Sequence, residues 1–459
     1  MAGIGFEIRK LLAKGTLADI SQAYLYAGIL SCGPWIVSIA SIAILNLFLS
    51  AYLGEAERTF FSTTVTHAYA LALILTGPLQ LILTRHAADE ISAGRTARLF
   101  PSCVAAMIVT SALSLISGFA LFGCLTRGSL LYKAGAVALH VNISLIFVCT
   151  AYLGALRKFR SVVLAFVIGF SISGAGAWLA ARSLGVPGAI VAFSMGQALL
   201  LCTLLVLLGK ELGRSRTLAC WDFLGTFRRF PALALCGFFY NFGIWIDKIL
   251  FWWLSKNTLE VSGALRASPV YDAAVYLSLL SIAPGFAVFF LAVESDFGEK
   301  FQRFFEIIHQ RGTLSQIHAA KHRMVVSLRS GFQKLALTQG AVTACLLAFA
   351  VPLGNALGIG ALQLGIFQVT LLGSMLLILF LSMLTVLFYL DDRRGAMIAA
   401  AVFGIGNGLL SLATLLANEA WYGFGFVVAT GAATHLAAIR VNRGMDGFVK
   451  AVFLPAMEH

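Results

Sequence analysis

Positively charged residues occur in alternate gaps between about a dozen long apolar stretches of this chain. Of the 33 Lys and Arg residues, 26 fall in the N-terminal segment, in every second gap and in the C-terminal segment. Lys and Arg concentrate in the cytoplasmic loops of membrane proteins. The alternation therefore predicts a multi-pass membrane protein with the N-terminus and the C-terminus both in the cytoplasm.

A helix needs roughly 20 apolar residues to cross the hydrocarbon core of a bilayer. Twelve stretches between Tyr24 and Ile439 meet this requirement with few charges inside them. The predicted spans are 23–50, 63–84, 101–122, 134–154, 162–181, 188–208, 232–254, 272–293, 332–353, 365–388, 397–417 and 422–440. Backbone groups in lipid must be hydrogen-bonded within the segment, so we predict an all-α integral membrane protein.

The basic stretch 209–231 separates two groups of six spans, as in secondary transporters that pair two helical lobes around a central site. The predicted domains are an amphipathic cytoplasmic arm (1–22), an N-terminal six-helix lobe (23–208), a basic cytoplasmic linker (209–231), a C-terminal six-helix lobe (232–440) with a cytoplasmic helical loop (294–331), and a cytoplasmic tail (441–459). A wet passage between the two lobes is expected.

Composition excludes several classes of protein. With 59% hydrophobic and 12% charged residues, the chain cannot cover the surface of a soluble domain of this length. The net charge of +13 indicates topology and attraction to anionic headgroups rather than nucleic acid binding. No phosphate-binding loop, nucleophile elbow or zinc-binding motif occurs, and the cysteines lack metal-ligand spacing. We therefore expect no enzymatic activity, no cofactor and no metal.

Ionisable side chains inside a span are costly and are candidate functional groups. Asp247 and Lys248 lie within the seventh predicted span, about 6–9 Å of helical rise from Trp252 and Trp253. Lining a translocation path and forming a structural ion pair are equally good interpretations of this pair.

Further polar residues lie toward the outer ends of predicted spans. Tyr240, Asn241, Tyr271 and Tyr276 would offer hydrogen bonds and stacking surfaces for sugars if they face inward, and Arg266 and Asp272 flank Pro269 near the outer mouth. Asp272 is also a helix-capping candidate. His67, His140 and Asn142 occur in the first lobe, where a histidine either couples transport to protons or forms part of a satisfied core.

Gly and Pro clusters predict interruptions of several spans. The hinge or broken-helix candidates are Pro34, Pro78, Pro284, Gly404, Gly406 and Asn407. Broken helices often line cavities in transporters, although Gly and Pro are also common in ordinary spans.

The loop 294–331 has the rhythm of amphipathic helices. Phe301, Phe304, Phe305 and Ile308 follow the spacing of one helical face, and a second such pattern follows Gly312, so two cytoplasmic helices are predicted. With Arg303 and Arg311, they form either a docking platform for a cytoplasmic partner or a membrane-surface connection. The N-terminal arm has similar character, with Ile4, Ile8, Leu11 and Leu12 on one face.

Three stretches carry a family resemblance. The opening run 1–12, MAGIGFEIRKLL, resembles the start of the Pel exopolysaccharide exporter family (PelG), a branch of the multidrug/oligosaccharidyl-lipid/polysaccharide (MOP) flippase superfamily. Cys32-Gly33-Pro34-Trp35 is similar as well, and so is Tyr271-Asp272 with the runs 281–286 and 294–297.

The resemblance implies an inner-membrane flippase-like exporter of a growing, partly deacetylated galactosamine-type polysaccharide. It also implies three partners, namely a cytoplasmic glycosyltransferase, a cyclic-di-GMP receptor membrane protein and a second membrane scaffold protein. It assigns no catalytic residue. Three alternatives stay open: a flippase for a lipid-linked oligosaccharide, a cation-coupled drug antiporter, and a non-transporting membrane scaffold for a synthase.

Overall fold

The computed structural model describes residues 17–212 and 218–453, without the side chains of 17–26, 30–32, 35, 294, 295 and 451. The amphipathic positions Ile4, Ile8, Leu11 and Leu12 lie outside the described residues. The described chain is almost wholly helical and divides into two compact units. One unit comprises Pro34–Pro269, and the other comprises Met1–Gly33 with Val270–His459.

Helices of the Pro34–Pro269 unit follow the predicted spans closely. They are α1 (Leu17–Leu49, which begins in the other unit), α2 (Glu55–Ser92), α3 (Leu99–Gly118, followed by a π-helical turn Phe119–Cys124), α4 (Leu130–Ala155), α5 (Phe159–Leu212), α6 (Phe223–Arg229) and α7 (Pro231–Leu254). The predicted spans 162–181 and 188–208 both lie in α5, where Gly185 has the non-helical angles φ 60° and ψ −149°. The helical path therefore changes between these two predicted spans.

The second unit is built from the remaining helices. They are α8 (Pro269–Leu280), α9 (Ala283–Phe289, followed by a π-helical segment Phe290–Phe297), α10 (Gly298–His309), α11 (Leu314–Ala348), α12 (Ala350–Leu357), α13 (Ala361–Tyr389), α14 (Arg393–Ala417) and α15 (Phe424–Phe453). Short polar links hold them together: Ser374 Oγ donates to Ser278 Oγ at 3.2 Å, and Gln339 Nε2 donates to the Ser281 carbonyl at 3.1 Å.

Nine helices of the described residues are long and apolar enough to cross a membrane. The number becomes ten when α11 and α12, which meet at a bend of 61°, form one span. The all-α multi-pass fold is thus confirmed, whereas the exact number of twelve spans stays a prediction.

The boundary between these compact units does not fall in 209–231, and the two predicted six-helix lobes stay a prediction. Helix α7 lies in the Pro34–Pro269 unit, although its residues were predicted to open the C-terminal lobe. The reason is close packing against α2. Gly77 and Gly237 meet backbone to backbone, and a Cβ at Gly77 would lie 2.6 Å from the Gly237 carbonyl oxygen. Small residues permit this approach between helices in lipid.

A short antiparallel hairpin between α7 and α8 was not predicted. Strand β1 (Leu259–Ser262) pairs with β2 (Leu265–Ala267), and Gly263 forms the turn with φ +60°. Backbone and side-chain bonds attach the hairpin to the end of α3: Ala264 N–H donates to the Leu125 carbonyl at 3.0 Å, and Ser262 Oγ donates to the Arg127 carbonyl at 2.7 Å.

Only one of the predicted interruptions breaks a helix. Pro284 lies in the first turn of α9, after the break that ends α8. Pro34 and Pro78 lie inside the continuous helices α1 and α2, and membrane helices tolerate proline because neighbouring groups satisfy the freed carbonyl.

Helix α14 is continuous through Gly404, Gly406 and Asn407, so the helix is not broken there, and a hinge at these residues stays a prediction. The small side chains at these positions allow α14 to pack closely against its neighbour. Gly406 lies against Ala429 of α15, and the buried Asn407 accepts a hydrogen bond from Ser411 Oγ at 2.9 Å.

The loop 294–331 contains helical structure, but its second half is not a separate helix. Helix α10 covers the predicted amphipathic face, and a capping box formed by Thr313 and Gln316 starts α11. Helix α11 then runs without a break into the predicted span 332–353. The amphipathic pattern and the apolar span are therefore two parts of one helix.

Candidate functional site

The buried charges of α7 form the core of the candidate site. Asp247 and Lys248 are both buried, and Lys248 Nζ lies 3.3 Å from each oxygen of the Asp247 carboxylate. Lys248 Nζ also donates to the Ile244 carbonyl at 2.8 Å. Among the side chains that the structure describes, the other buried charge is Glu90, which pairs with Arg95 at the end of α2.

Two tryptophans of α7 lie beside this pair. The Lys248 ammonium is 5.9 Å from the ring centroid of Trp245, and the rings of Trp245 and Trp252 are 6.2 Å apart. Helix α2 supplies a third ring, because His67 stacks on Trp252 with a centroid distance of 4.2 Å. The structure thus brings the predicted residue His67 into one cluster with Asp247 and Lys248, which we call the α7 cluster: His67, Trp245, Asp247, Lys248 and Trp252.

The α7 cluster contains two polar atoms without a hydrogen-bond partner in the described chain. His67 Nδ1 lies 2.9 Å from the Thr63 carbonyl, so in the neutral ring Nδ1 carries the proton and Nε2 is an acceptor. His67 Nε2 and Trp245 Nε1 are both buried and unbonded among the described residues. Buried polar atoms are rarely left so. One acceptor and one donor therefore lack a described partner beside two aromatic rings and an ion pair.

Tyr240 and Asn241 lie in the same helix, on the N-terminal side of the α7 cluster. Both side chains are half-buried. Asn241 Nδ2 donates to the Gly237 carbonyl at 2.9 Å and packs over Gly77. The Asn241 amide therefore supports the contact between α2 and α7.

His140 and Asn142 have structural partners. His140 is fully buried, with Nε2 at 3.0 Å from Ser117 Oγ and Nδ1 at 3.2 Å from the Ala68 carbonyl. Asn142 Nδ2 donates to the Ser194 carbonyl at 3.1 Å and links α4 to α5. This geometry matches the satisfied-core interpretation of His140.

Arg266 lies on the hairpin, where its guanidinium covers the Trp253 ring at 4.4 Å and approaches Glu260 at 3.7 Å. These contacts attach β2 to the end of α7. Tyr271, Asp272 and Tyr276 belong to α8 of the other unit: Tyr271 is buried, while Asp272 and Tyr276 are half-buried. Asp272 is in the first helical turn, where a carboxylate is stabilised by the helix dipole.

The aromatic face of α10, which was predicted to dock a partner, packs largely against other residues of its own unit. Phe304 is buried, and the rings of Phe301, Phe304 and Phe305 lie 5.9, 5.2 and 6.3 Å from the Phe448 ring. Ile308 is half-buried, whereas Arg303 and Arg311 are exposed. A partner approaching α10 would meet its charged face rather than its aromatic one.

Sequence reasoning missed Trp245 and Trp252 as site residues, because aromatic residues near a span end are ordinary interface anchors. It also missed the charged side chains of Glu299, Lys300 and Arg323. Their spacing in the sequence places them on the polar faces of two helices, α10 and α11. Only the structure shows that these two polar faces meet around one cavity.

Chemically, the α7 cluster offers hydrogen bonds and flat aromatic surfaces and holds no nucleophile activated by a base. Its unbonded donor and acceptor match the chemistry of a polar, uncharged group such as a hydroxyl. It is poorly suited to an isolated cation or anion, because each charge already has its counter-charge.

Comparisons with known proteins agree with this architecture. A model of the family described as "PelG: Putative exopolysaccharide Exporter (EPS-E)" matches residues 1–453. No curated protein matches the chain.

Solved structures of MOP superfamily transporters share the fold. A MOP transporter from Pyrococcus furiosus aligns with a TM-score of 0.62 at 12% identity, over 92% of this chain and 96% of that chain. A multidrug resistance MATE family transporter aligns in its outward-facing conformation with a TM-score of 0.62 at 13% identity, over 92% of this chain and 96% of that chain. At these identities the likeness concerns the fold alone. The chain therefore belongs to the PelG family of exopolysaccharide exporters and has the fold of MOP superfamily transporters.

Proposed function

We propose that this chain passes a growing, galactosamine-containing exopolysaccharide from a cytoplasmic glycosyltransferase across the inner membrane, and that the α7 cluster contacts the polymer on its way. Membership of an exopolysaccharide exporter family supports the substrate class. Family resemblance implies the identity of the sugar. It also implies the three partners, namely the transferase, the cyclic-di-GMP receptor and the second scaffold protein. The charge alternation supports cytoplasmic termini.

The two unbonded buried atoms carry the proposal. A sugar hydroxyl both donates and accepts, so sugar hydroxyls supply the donor that His67 Nε2 lacks and the acceptor that Trp245 Nε1 lacks. Satisfying a buried polar group in this way contributes roughly 0.5–1.5 kcal/mol per hydrogen bond. Bonds of this strength hold a polymer weakly enough for it to move on, and polymer growth at the cytoplasmic side would supply the direction.

The alternatives fit the α7 cluster less well. A flippase for lipid-linked oligosaccharides needs cationic groups for a pyrophosphate, and Lys248 is already neutralised by Asp247. A cation antiporter needs an available carboxylate, and that of Asp247 faces the Lys248 ammonium. A pure scaffold gives no reason for unbonded polar atoms beside a buried ion pair.

The sharpest test is Trp245→Phe, which keeps an aromatic ring but removes the N–H group together with part of the indole ring system. Because Trp245 Nε1 makes no hydrogen bond in the described chain, the variant loses some packing but no internal hydrogen bond, and secretion is compared at equal protein level. We expect secreted polysaccharide to fall several-fold at equal protein level, since a lost bond of about 1 kcal/mol corresponds to roughly a fivefold effect.

Trp178→Phe is the matched control, because Trp178 Nε1 is also buried and unbonded in the same unit but lies outside the α7 cluster. It should leave secretion unchanged. Unchanged secretion by Trp245→Phe, or an equal loss in both variants, would remove the α7 cluster from the transport path.

A further inference from the structure

A cavity of about 190 Å³ lies between α10 and α11, outside the α7 cluster and in the other unit. Its lining consists of Glu299, Lys300, Arg303, Ala320 and Arg323. Ala320 is buried and forms its apolar part, while three of the four charged lining residues are cations. Because positive side chains outnumber negative ones in the lining, the interior of the cavity is positively charged.

The cations differ in how far they are already neutralised. Lys300 Nζ lies 2.7 and 2.8 Å from the two carboxylate oxygens of Asp296, which also accepts a hydrogen bond from Ser327. Arg303 and Arg323 have no ion-pair partner within the described chain. The Asp296–Lys300–Ser327 contacts fix one wall. Two guanidinium groups from different helices supply positive charge that forms no ion pair in the described chain, beside the single carboxylate of Glu299 in the lining.

The size and chemistry of the cavity select a ligand class. Its volume is below the roughly 300–1,000 Å³ of sites for drug-sized molecules, so it suits a small group rather than a whole sugar nucleotide. Guanidinium groups bind phosphate oxygens through paired, charge-assisted hydrogen bonds. We propose that this cavity binds a phosphate group, and that Arg303 and Arg323 are its principal ligands.

The position of the cavity along the chain brings it near the membrane surface. Lys300 follows the predicted end of span 272–293 by a continuous helical path, which corresponds to about 10 Å of rise. The headgroup layer extends about 5–8 Å beyond the hydrocarbon core. The cavity therefore lies just beyond the headgroup layer, where a phospholipid headgroup and a soluble cytoplasmic phosphate compound are the two candidate sources of the phosphate.

Binding measurements on the purified full-length protein test the proposal. Phosphatidylglycerol is added to protein in neutral detergent and its retention is measured by native mass spectrometry. Inorganic pyrophosphate is titrated calorimetrically into protein in phosphatidylcholine nanodiscs. Wild type should bind at least one probe, and Arg303→Gln and Arg323→Gln should each weaken that binding about tenfold. Retention of phosphatidylglycerol alone identifies the lipid as the source, and binding of pyrophosphate alone identifies a soluble phosphate.

Arg329→Gln is the control, because Arg329 is exposed on α11, carries the same charge and does not line the cavity. It should bind the probe as wild type does. All three arginines are exposed at the surface, so the variants should elute as wild type does in size-exclusion chromatography. Absence of binding to both probes, or equal losses in all three variants, would overturn the proposal. These outcomes do not depend on secretion, so the phosphate site can fail while the proposed export stands.

Discussion

Two opposing electrostatic effects determine how much the buried pair Asp247 and Lys248 contributes to stability. Taking two charges out of water is costly, and their mutual attraction repays this cost only with good geometry and further hydrogen bonds. Lys248 has both, because Nζ contacts the Asp247 carboxylate and the Ile244 carbonyl. Such a pair is weak evidence for stability in itself, which makes its retention beside unbonded polar atoms informative about function.

Removing one charge of the pair should destabilise the protein strongly. Asp247→Asn leaves the Lys248 ammonium without this counter-charge, at a cost of about 3–5 kcal/mol. The double variant Asp247→Asn with Lys248→Met should recover much of that loss, because no charge then remains buried. Thermal unfolding in detergent, followed by tryptophan fluorescence, measures both effects.

The exposed pair Lys158–Glu211, 2.8 Å apart in the same unit, provides the comparison. Glu211→Gln should cost less than about 1 kcal/mol. If Asp247→Asn were no more destabilising than Glu211→Gln, the pair would have to be open to water, and a buried site would be excluded.

Residue chemistry was only partly predictable from the sequence. Asp247 and Lys248 could be identified because charge inside an apolar span is rare, but their interpretation needed the distance between them. His67 and His140 look equivalent in the sequence. The structure gives two described partners to the ring of His140 and leaves Nε2 of His67 without one in the described chain.

At the scale of elements, the contact between α2 and α7 decides where the α7 cluster forms. Gly77 and Gly237 bring the two backbones together, and Asn241 closes over the contact. This close approach positions the His67 ring of α2 against Trp252 of α7. A side chain at either glycine would push these helices apart.

Gly77→Ala should therefore both destabilise the protein and reduce secretion. Its Cβ would lie 2.6 Å from the Gly237 carbonyl oxygen, and overpacking of this kind costs about 1–3 kcal/mol. Gly174→Ala, a helical glycine of α5 with open space around it, should be neutral or slightly stabilising. Unfolding midpoints and secreted polysaccharide measure both variants, and equal behaviour of the two would refute the close contact.

Helix positions were predictable because long apolar runs in lipid have no other stable conformation. Helix breaks were not, since the same residue types serve packing and bending. Gly406 packs on Ala429 within a continuous helix.

Helices α11 and α12 bend at Phe349, three residues before Pro352. Pro34 and Pro78, in contrast, lie inside continuous helices, so proline alone does not locate a break. The hairpin at Gly263 had a Ser-Gly turn signal that the surrounding apolar spans obscured.

At the scale of the whole molecule, charge distribution and family membership indicate different parts of the function. Alternating basic loops predict orientation, and the family model identifies an exopolysaccharide exporter. The division at Pro34 and Pro269 was not predictable, because span counting assigns helices by order and the Gly77–Gly237 contact assigns α7 by packing.

The most direct measurement uses inverted membrane vesicles that contain this chain and its proposed glycosyltransferase, supplied from outside with the sugar nucleotide. Polymer made on the outer face should enter the lumen and become resistant to an added glycoside hydrolase, and this protection should disappear when the chain is omitted. Polymer that stays fully digestible in the presence of the folded chain would contradict export by this protein.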